Sequence, residues 1–515
     1  MLAKVFSFSL LGIEAYPVEI EVDVSRGLPA MTVVGLADTA IKESKERVKS
    51  AIKNSGFKWP NERITVNLAP SDIKKEGASL DLAIALGILG ASQQLDSERL
   101  LNYYILGELS LDGSLRAITG VLPISLTIPK LNSQESKINN LIVPFANAKE
   151  AGVVEQINVW PMQTLKETVE FLNNPTFYQP FKLDLEELFK KQARYKVDFS
   201  EVKGQSLAKR AIEVAVAGGH NILLIGPPGS GKTMLAKRIP TIMPDLTLEE
   251  ALEITKIHSV MGRLSSEDGL IATRPFRHPH HTISDIALVG GGSIPQPGEI
   301  SLAHAGVLFL DELPEFHRDS LEALRQPLEE GYIRISRIKK SFIFPANFML
   351  VCAMNPCPCG FLGQKGSACR CNSSQIYKYR AKVSGPLLDR IDIHLEVPAI
   401  RFQELNNDLP SDSSSQIKER INKARFIQRQ RFKDEGIFYN AQMSHKQIRK
   451  FCILGKNEFE LLKKAMEELN LSARAYDKIL KVARTVADLA GSELIKPEHL
   501  CEAIQYRSLD RDFFI

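Results

Sequence analysis

The run Gly226-Pro227-Pro228-Gly229-Ser230-Gly231-Lys232-Thr233 has the residue types and order that hold a polyphosphate. Its glycines let backbone N–H groups close around phosphate oxygens, and the helix expected from Met234 points its positive end at the same charge. Lys232 is placed to reach the β- and γ-phosphates and Thr233 to ligate magnesium. The apolar run Asn221–Ile225 supplies the strand that must precede such a loop. A second apolar run, Val307–Leu310, ends in Asp311-Glu312. There Asp311 is suited to hold magnesium through water, and Glu312 to polarise a water that attacks the γ-phosphate. A third run, Phe348–Ala353, ends at Met354-Asn355, where an amide can orient the same water. The chemistry implied is hydrolysis of a nucleoside triphosphate, with the Walker A and Walker B motifs in sequence.

A different chemistry is suggested by Cys357-Pro358-Cys359 and Cys369-Arg370-Cys371. Four thiolates in one loop could close a tetrahedral zinc site, although the usual C-x-x-C spacing is absent. Such a clip would stiffen a long loop just beyond Asn355. The alternative is four free thiols in a reducing compartment. The chain has seven cysteines, an odd number, and no secretion signal is evident, so disulfides are not expected.

These residues need strands and helices to position them. At roughly 100–200 residues per domain, 515 residues predict two to four domains. Hydrophobic residues make up 44% and charged residues 24%, which excludes wholesale disorder. The net charge is only +4, so any nucleic-acid surface must be local. No apolar run reaches the ~18–20 residues of a membrane span. Phe6–Ile13 leads through Glu14 into the alternating Val18–Val24, a first strand rather than a signal peptide, and the expected address is the cytoplasm. Residues 1–175 mix strand patterns (Val18–Val24, Ile64–Leu68, Tyr104–Leu111, Asn140–Val143) with helical ones (Thr39–Ser55, Leu80–Leu89), an α/β segment. Residues 176–200 read as a charged linker. Residues 201–400 alternate apolar runs and helices, as parallel α/β sheets do. Residues 401–515 are predicted helical: a polar loop at Asp408–Ser415, a charged helix Gln416–Lys433, then three more helical stretches.

The three nucleotide motifs, in this order, resemble an AAA+ ATPase, with Val202-Lys203-Gly204-Gln205 at the adenine-side segment. Arg277-His278-Pro279-His280-His281-Thr282-Ile283-Ser284, Gly290-Gly291-Gly292-Ser293-Ile294-Pro295 and Pro297-Gly298-Glu299-Ile300-Ser301-Leu302-Ala303-His304 are similar to the magnesium-chelatase-like branch, and within it to the bacterial YifB/ComM family. The resemblance covers essentially the whole chain. It implies a central AAA+ core, a C-terminal helical lid, ATP and magnesium as cofactors, and a homo-hexamer. It also implies action on single-stranded or branched DNA, promoting branch migration during recombination of transforming DNA, with no membrane partner. Two other functions belong to related proteins: the motor subunit of a metal-chelatase-like complex, and an ATP-dependent protease.

Site residues follow from the same resemblance. Gly385-Pro386-Leu387-Leu388-Asp389-Arg390-Ile391-Asp392 matches the stretch carrying the arginine finger, which makes Arg390 the group reaching a neighbouring subunit's γ-phosphate. A local salt bridge from Arg390 to Asp389 or Asp392 is the structural alternative. Ser472-Ala473-Arg474 matches the sensor-2 position, with Arg484 on the same predicted helix as the competing candidate. Gly269–Ile300 corresponds to an insertion in the second helix of the core, and Gly331–Asn347 to a hairpin carrying Arg334, Arg337, Lys339 and Lys340. Related ring motors face both into a central pore, where such cations suit a phosphate backbone. The alternative is a solvated strand pair, since basic residues also guard exposed sheet edges. His278, His280 and His281 lack a carboxylate or cysteine in their segment and read as pore or subunit contacts rather than metal ligands.

Residues 1–175 resemble the fold shared by the Lon proteolytic domain and a ribosomal S5 domain. Glu76-Gly77-Ala78-Ser79 matches the stretch carrying Lon's nucleophilic serine, and Gly107-Glu108-Leu109-Ser110-Leu111-Asp112-Gly113 the strand motif after it. The position expected to hold the partner lysine is Leu122. A serine without an adjacent base is a poor nucleophile, so the departure implies a non-proteolytic binding or assembly domain. A shifted register would bring in Lys74 or Lys75 instead.

Overall fold

The computed structural model describes residues 1–36, 38–71, 75, 77–132, 138–292, 295–337, 341–363, 369–399, 412–469 and 471–509. Lys74, Lys339, Lys340 and residues 408–411 of the polar loop lie outside the described residues. The chain divides into two compact units: one formed chiefly by Met1–Ala193 with Thr247–Ala272, the other containing Arg194–Leu246 and most of the chain beyond Thr273.

In the first unit, strands β1 (Leu2–Leu11) and β2 (Glu14–Ser25) form an antiparallel hairpin. Val18, Ile20, Val22 and Val24 face the core while the carboxylates between them face out, the period-two pattern that marks a half-buried strand. With β3 (Ala30–Val34), β4 (Arg63–Ala69), β5 (Tyr104–Ile105), β6 (Asn140–Pro144) and β7 (Asn158–Met162) they make a seven-stranded sheet in the order β3-β4-β2-β1-β5-β6-β7. Helix α1 (Thr39–Asn54) packs beside α2 (Asp81–Ala91), every residue of which is buried. A helix apolar all round belongs inside. It lies so close to the sheet that a Cβ at Gly87 would sit 2.6 Å from Val22 Cγ2. Its first carboxylate, Asp81, is paired at 2.9 Å with Arg47 of α1.

Tyr104–Leu111 is not one strand. The chain leaves the sheet after Ile105, and Glu108–Leu109 pairs with Leu115–Arg116 in a separate hairpin. The Gly107 N–H is taken by the Ser79 carbonyl at 2.8 Å, and a Cβ there would meet Leu115 at 3.1 Å and Leu82 at 3.2 Å. Helix α3 (Val121–Asn132) comes next. The predicted linker also holds a helix, α4 (Leu185–Gln192), capped by Asp184 and charged with Glu186 and Glu187 at its start and Lys190 and Lys191 at its end. Those charges suit the helix dipole. The Thr247–Ala272 segment belongs to this unit as well. Its helix, Leu248–Val260, opens with a Thr247/Glu250 capping box and buries Ala251, Ile254 and Ile257.

The second unit is built on a five-stranded sheet. After α5 (Ser206–Gly218) come β8 (Ile222–Ile225), α6 (Lys232–Ala236), β9 (Phe276–Arg277) and α7 (Asp285–Val289). Next are β10 (Val307–Leu310), α8 (Arg325–Glu330), the antiparallel hairpin β11 (Tyr332–Ser336) and β12 (Ser341–Pro345), and β13 (Met349–Met354). Helix α9 (Ser373–Arg380) and β14 (Ile393–Glu396) complete the core. The sheet order β9-β10-β13-β8-β14 is parallel throughout, and its strands are near-continuous apolar runs because helices cover both faces. Beyond it, among the described residues, everything is helical: α10 (Ser414–Arg431), α11 (His445–Phe451), α12 (Lys456–Glu468), α13 (Ala473–Leu489) and α14 (Pro497–Gln505). Four helices come after α10, one more than the sequence pattern suggested, because Cys452–Gly455 breaks α11 from α12.

Candidate functional site

Parallel strands in register end on the same edge of their sheet, and loops gathered at such an edge are where α/β proteins bind ligands. Here Leu224 lies opposite Ala353 on one side and Leu395 on the other, and Phe309 lies opposite Val351. The tips of β8, β10 and β13 therefore bring together Gly226–Thr233, Asp311-Glu312 and Asn355, which are far apart in the chain.

The loop has the geometry of a phosphate cradle. Gly226 accepts no side chain, since a Cβ would lie 2.1 Å from the Val397 carbonyl. Gly229 and Gly231 have φ of +75° and +85°, open to glycine and strained for other residues. Gln205 ties the upstream segment to the loop, its amide 3.3 Å from the Ser230 carbonyl and 2.8 Å from that of Pro398. Ser230 Oγ is buried with no partner among the described residues. Lys232 directs its ammonium back over the loop, 2.7 Å from the Gly226 carbonyl, 3.0 Å from that of Pro227 and 3.3 Å from Asn355 Oδ1. Burial lowers its proton affinity, opposed by the nearby charge of Asp311. Thr233 Oγ1 donates to Asp311 Oδ2 at 2.7 Å, so the two candidate magnesium ligands already share one point. A hydroxyl and a carboxylate from opposite motifs, beside a glycine-rich loop that leads into a helix N-terminus, fit magnesium with a polyphosphate.

Glu312 sits at φ +54°, a left-handed conformation uncommon for a side chain with a Cβ. Its N–H bonds Asp311 Oδ1 at 3.0 Å, and its carboxylate is 58% exposed, with Nδ1 of His281 3.3 Å away. The sequence gives no sign of that neighbour: the parallel pairing of β9 with β10 brings it there. A second unforeseen residue is Tyr379 of α9, whose buried hydroxyl meets the Asn355 backbone N–H and is pushed up to about 12, chiefly by burial.

The four cysteines do converge. Cys357, Cys359 and Cys369 have Sγ–Sγ distances of 3.4, 3.7 and 3.5 Å, and all four sulfurs lie within 4.8 Å of one another. A tetrahedron with Zn–S near 2.3 Å has edges of about 3.8 Å. Backbone N–H groups of Phe361 and Arg370 point at Cys359 and bring its thiol down to about 6. The loop is not remote from the phosphate cradle: a Cβ on Gly360 would lie 2.5 Å from Pro228 Cδ. Its far end leads into α9, where Arg380 reaches the Pro356 carbonyl at 3.4 Å.

Arg390 pairs neither with Asp389 nor with Asp392. Its guanidinium meets Glu329 of α8 and the Pro386 carbonyl, the latter at 2.6 Å, while its Nε is buried with no partner among the described residues. Arg474, 71% exposed at the start of α13, meets Asp389 at 2.9 Å. Arg484 is 3% exposed and occupied by Asp488 and the carbonyls of Ser492 and Glu493. On the hairpin, Arg334 is exposed and lies 5.7 Å over the Tyr332 ring, and Arg337 reaches the Gly292 carbonyl. In the amino-terminal unit, Leu122 is fully buried and its N–H is held by Glu150 at 2.9 Å; Lys75 directs its ammonium to the carbonyls of Pro70 and Gly35.

Comparison with known proteins places these features. Residues 198–405 match the family model described as magnesium chelatase, subunit ChlI. Residues 20–147 match a model for subunit ChlI of Mg-chelatase, and residues 411–507 one for the ChlI C-terminal region. The competence protein ComM of Haemophilus influenzae is 46% identical over 518 residues, covering 99% of this chain and 98% of its own. YifB of Escherichia coli is 43% identical over 512 residues, with the same coverage. A magnesium-chelatase 67 kDa subunit from Chlorobaculum parvum is 28% identical over 166 residues, 31% of this chain and 23% of that protein. No described helix is long and apolar enough to cross a membrane.

Proposed function

The chain belongs to the YifB/ComM family of magnesium-chelatase-like AAA+ ATPases, and from that premise we propose that it is the subunit of a six-membered ring that hydrolyses ATP to move DNA, promoting branch migration when incoming strands recombine. The observation that carries this reading is the likeness to a competence protein over 99% of the chain, which takes in both units. The partial, 28% likeness to a chelatase subunit leaves most of the chain unmatched and gives the metal-chelatase reading less support. Leu122 in place of a base speaks against a protease.

Bound magnesium would be held by Thr233 and Asp311 and supplies charge neutralisation on the phosphates. Lys232 and the loop N–H groups bind the β- and γ-phosphates. Glu312 takes the proton of the attacking water, Asn355 orients that water, and Arg390 of one subunit reaches the γ-phosphate held by the next. A finger acting across subunits is consistent with a guanidinium whose partner here is a half-exposed carboxylate, Glu329, rather than its own phosphate loop. Arg474 serves as sensor 2. Cys357, Cys359, Cys369 and Cys371 would hold a zinc ion through their thiolates, which would tie together the chain between Asn355 and α9. Arg334 and Arg337, with Lys339 and Lys340 a few residues on in the chain, contact the phosphate backbone.

Purified protein tested for strand displacement and branch migration, with casein degradation alongside, decides between the readings. ATP-dependent branch migration is expected, lost in Glu312→Gln. ATP hydrolysis unaffected by any DNA, with no strand movement, overturns the proposal.

A further inference from the structure

Three histidines come after β9, and they do different things. The parallel pairs Phe276–Val307 and Arg277–Leu308 run this segment alongside Phe309–Glu312. Arg277 fixes the strand end with two bonds to Glu299, at 2.6 and 2.8 Å. His278 lies back against the Phe309 ring, centroids 4.8 Å apart, where burial lowers its proton affinity. His280 turns to Thr282 Oγ1 at 2.9 Å. His281 alone of the three faces Glu312, with Nδ1 3.3 Å from Oε2. Its ring is boxed between that of His280, 4.1 Å away, and Phe316, 6.4 Å away.

Glu312 needs such a neighbour. An exposed glutamate samples several rotamers, and holding a long side chain in one of them costs side-chain entropy. A base must lie within hydrogen-bond reach of the proton it takes, and a misplacement of about 1 Å costs on the order of a hundredfold in rate. We propose that His281 is a positioning residue for Glu312: it holds the carboxylate in one orientation at the strand edge and takes no proton itself. The segment after it runs directly into α7 and to Gly292, whose carbonyl receives Arg337 of the basic hairpin. His281 thereby stands where a change in that segment reaches the base. The inference rests on Glu312 being the base for ATP hydrolysis.

The experiment compares His281→Asn, which keeps a donor near the Nδ1 position, with His281→Leu, similar in size but without one. Melting curves and fluorescent-nucleotide binding are measured beside steady-state ATP hydrolysis, and His281→Ala supplies the comparison if leucine upsets the packing. Expected is a fall in kcat of roughly ten- to a hundredfold in the leucine variant, with KM within about twofold, and recovery of most of that loss by asparagine. Equal loss in both variants, or a change confined to KM, overturns the proposal while leaving Glu312 in place. Normal hydrolysis by Glu312→Gln overturns the base assignment itself, and with it this inference.

Discussion

Arg474 and Arg484 share helix α13, and their surroundings predict opposite phenotypes. Arg484 is 3% exposed; its Nε donates to Asp488 at 3.1 Å and its NH1 to the Glu493 carbonyl at 2.7 Å. Asp488, wholly buried, is shared with Arg431 and with Asn440 Nδ2 at 2.8 Å. Breaking one member of a buried ionic group typically costs about 3–5 kcal/mol, since a buried charge is left without its partner. Arg484→Ala also releases the two carbonyls that close the end of α13. By contrast, the Arg474 side chain is 71% exposed and its ion pair to Asp389 lies at the surface. Such pairs are worth about 0–1 kcal/mol. At roughly 2–4 °C per kcal/mol for a unit of this size, Arg484→Ala should lower the melting temperature of the second unit by about 10 °C. Arg474→Ala should move it by no more than about 4 °C. The enzymatic effect runs the other way: at a temperature where both are folded, Arg474→Ala should impair ATP turnover, and Arg484→Ala should retain most of it. Scanning calorimetry with a coupled ATPase assay reads both. A stable Arg484→Ala with impaired turnover, beside an inert Arg474→Ala, would show that the sensor has been assigned to the wrong arginine.

Lys232→Ala should weaken nucleotide binding, whereas Glu312→Gln should keep it and stop turnover; equilibrium binding and phosphate release distinguish the two, and a normal rate in Glu312→Gln removes the Walker B assignment. Rings mixed from Arg390→Ala and Lys232→Ala subunits should regain some hydrolysis where an intact loop meets an intact finger, and no recovery in proven mixed rings counts against a finger acting in trans. Elemental analysis of protein purified without chelators should find about one zinc per chain, lost in Cys357→Ser/Cys369→Ser; a metal-free, fully folded wild type rules the site out. Burial raises the Asp81 carboxyl to about 6, against the pull of Arg47. The folded state therefore holds that proton more tightly than the unfolded chain, and the stabilisation is complete below the ordinary carboxylate range and lost as pH rises through 6. Asp81→Asn should flatten the pH dependence of unfolding of the first unit between about 4 and 6, and an unchanged slope would place the titration elsewhere.

The nucleotide motifs were legible because each is local: glycines before a lysine, carboxylates after an apolar run. The central sheet was legible for the same reason, its buried strands being unbroken apolar runs. What escaped the sequence depends on pairings between distant segments. His281 reaches Glu312 through a two-residue strand, too short to leave a periodic pattern. Tyr379 meets Asn355 from a helix that lies beyond the cysteine cluster in the chain. Helix α4 was hidden by its charges, which look like a linker until their order along the helix is noticed. Tyr104–Leu111 misled in the opposite way: its alternation is that of a strand, but packing at Gly107 takes the chain out of the sheet.

The Leu248–Val260 helix lies in sequence between the Walker motifs and folds with the amino-terminal unit. The two units are therefore threaded rather than strung end to end, and no single cut separates them. A fragment starting at Arg194 would carry Ala251, Ile254 and Ile257 stripped of the surface that covers them, an invitation to aggregate. Threading also narrows how such a protein can change over time. An appended module can be lost or exchanged at its linker, but this one could be discarded only by rebuilding a stretch of the ATPase. The amino-terminal unit and the motor are thus inherited as one piece.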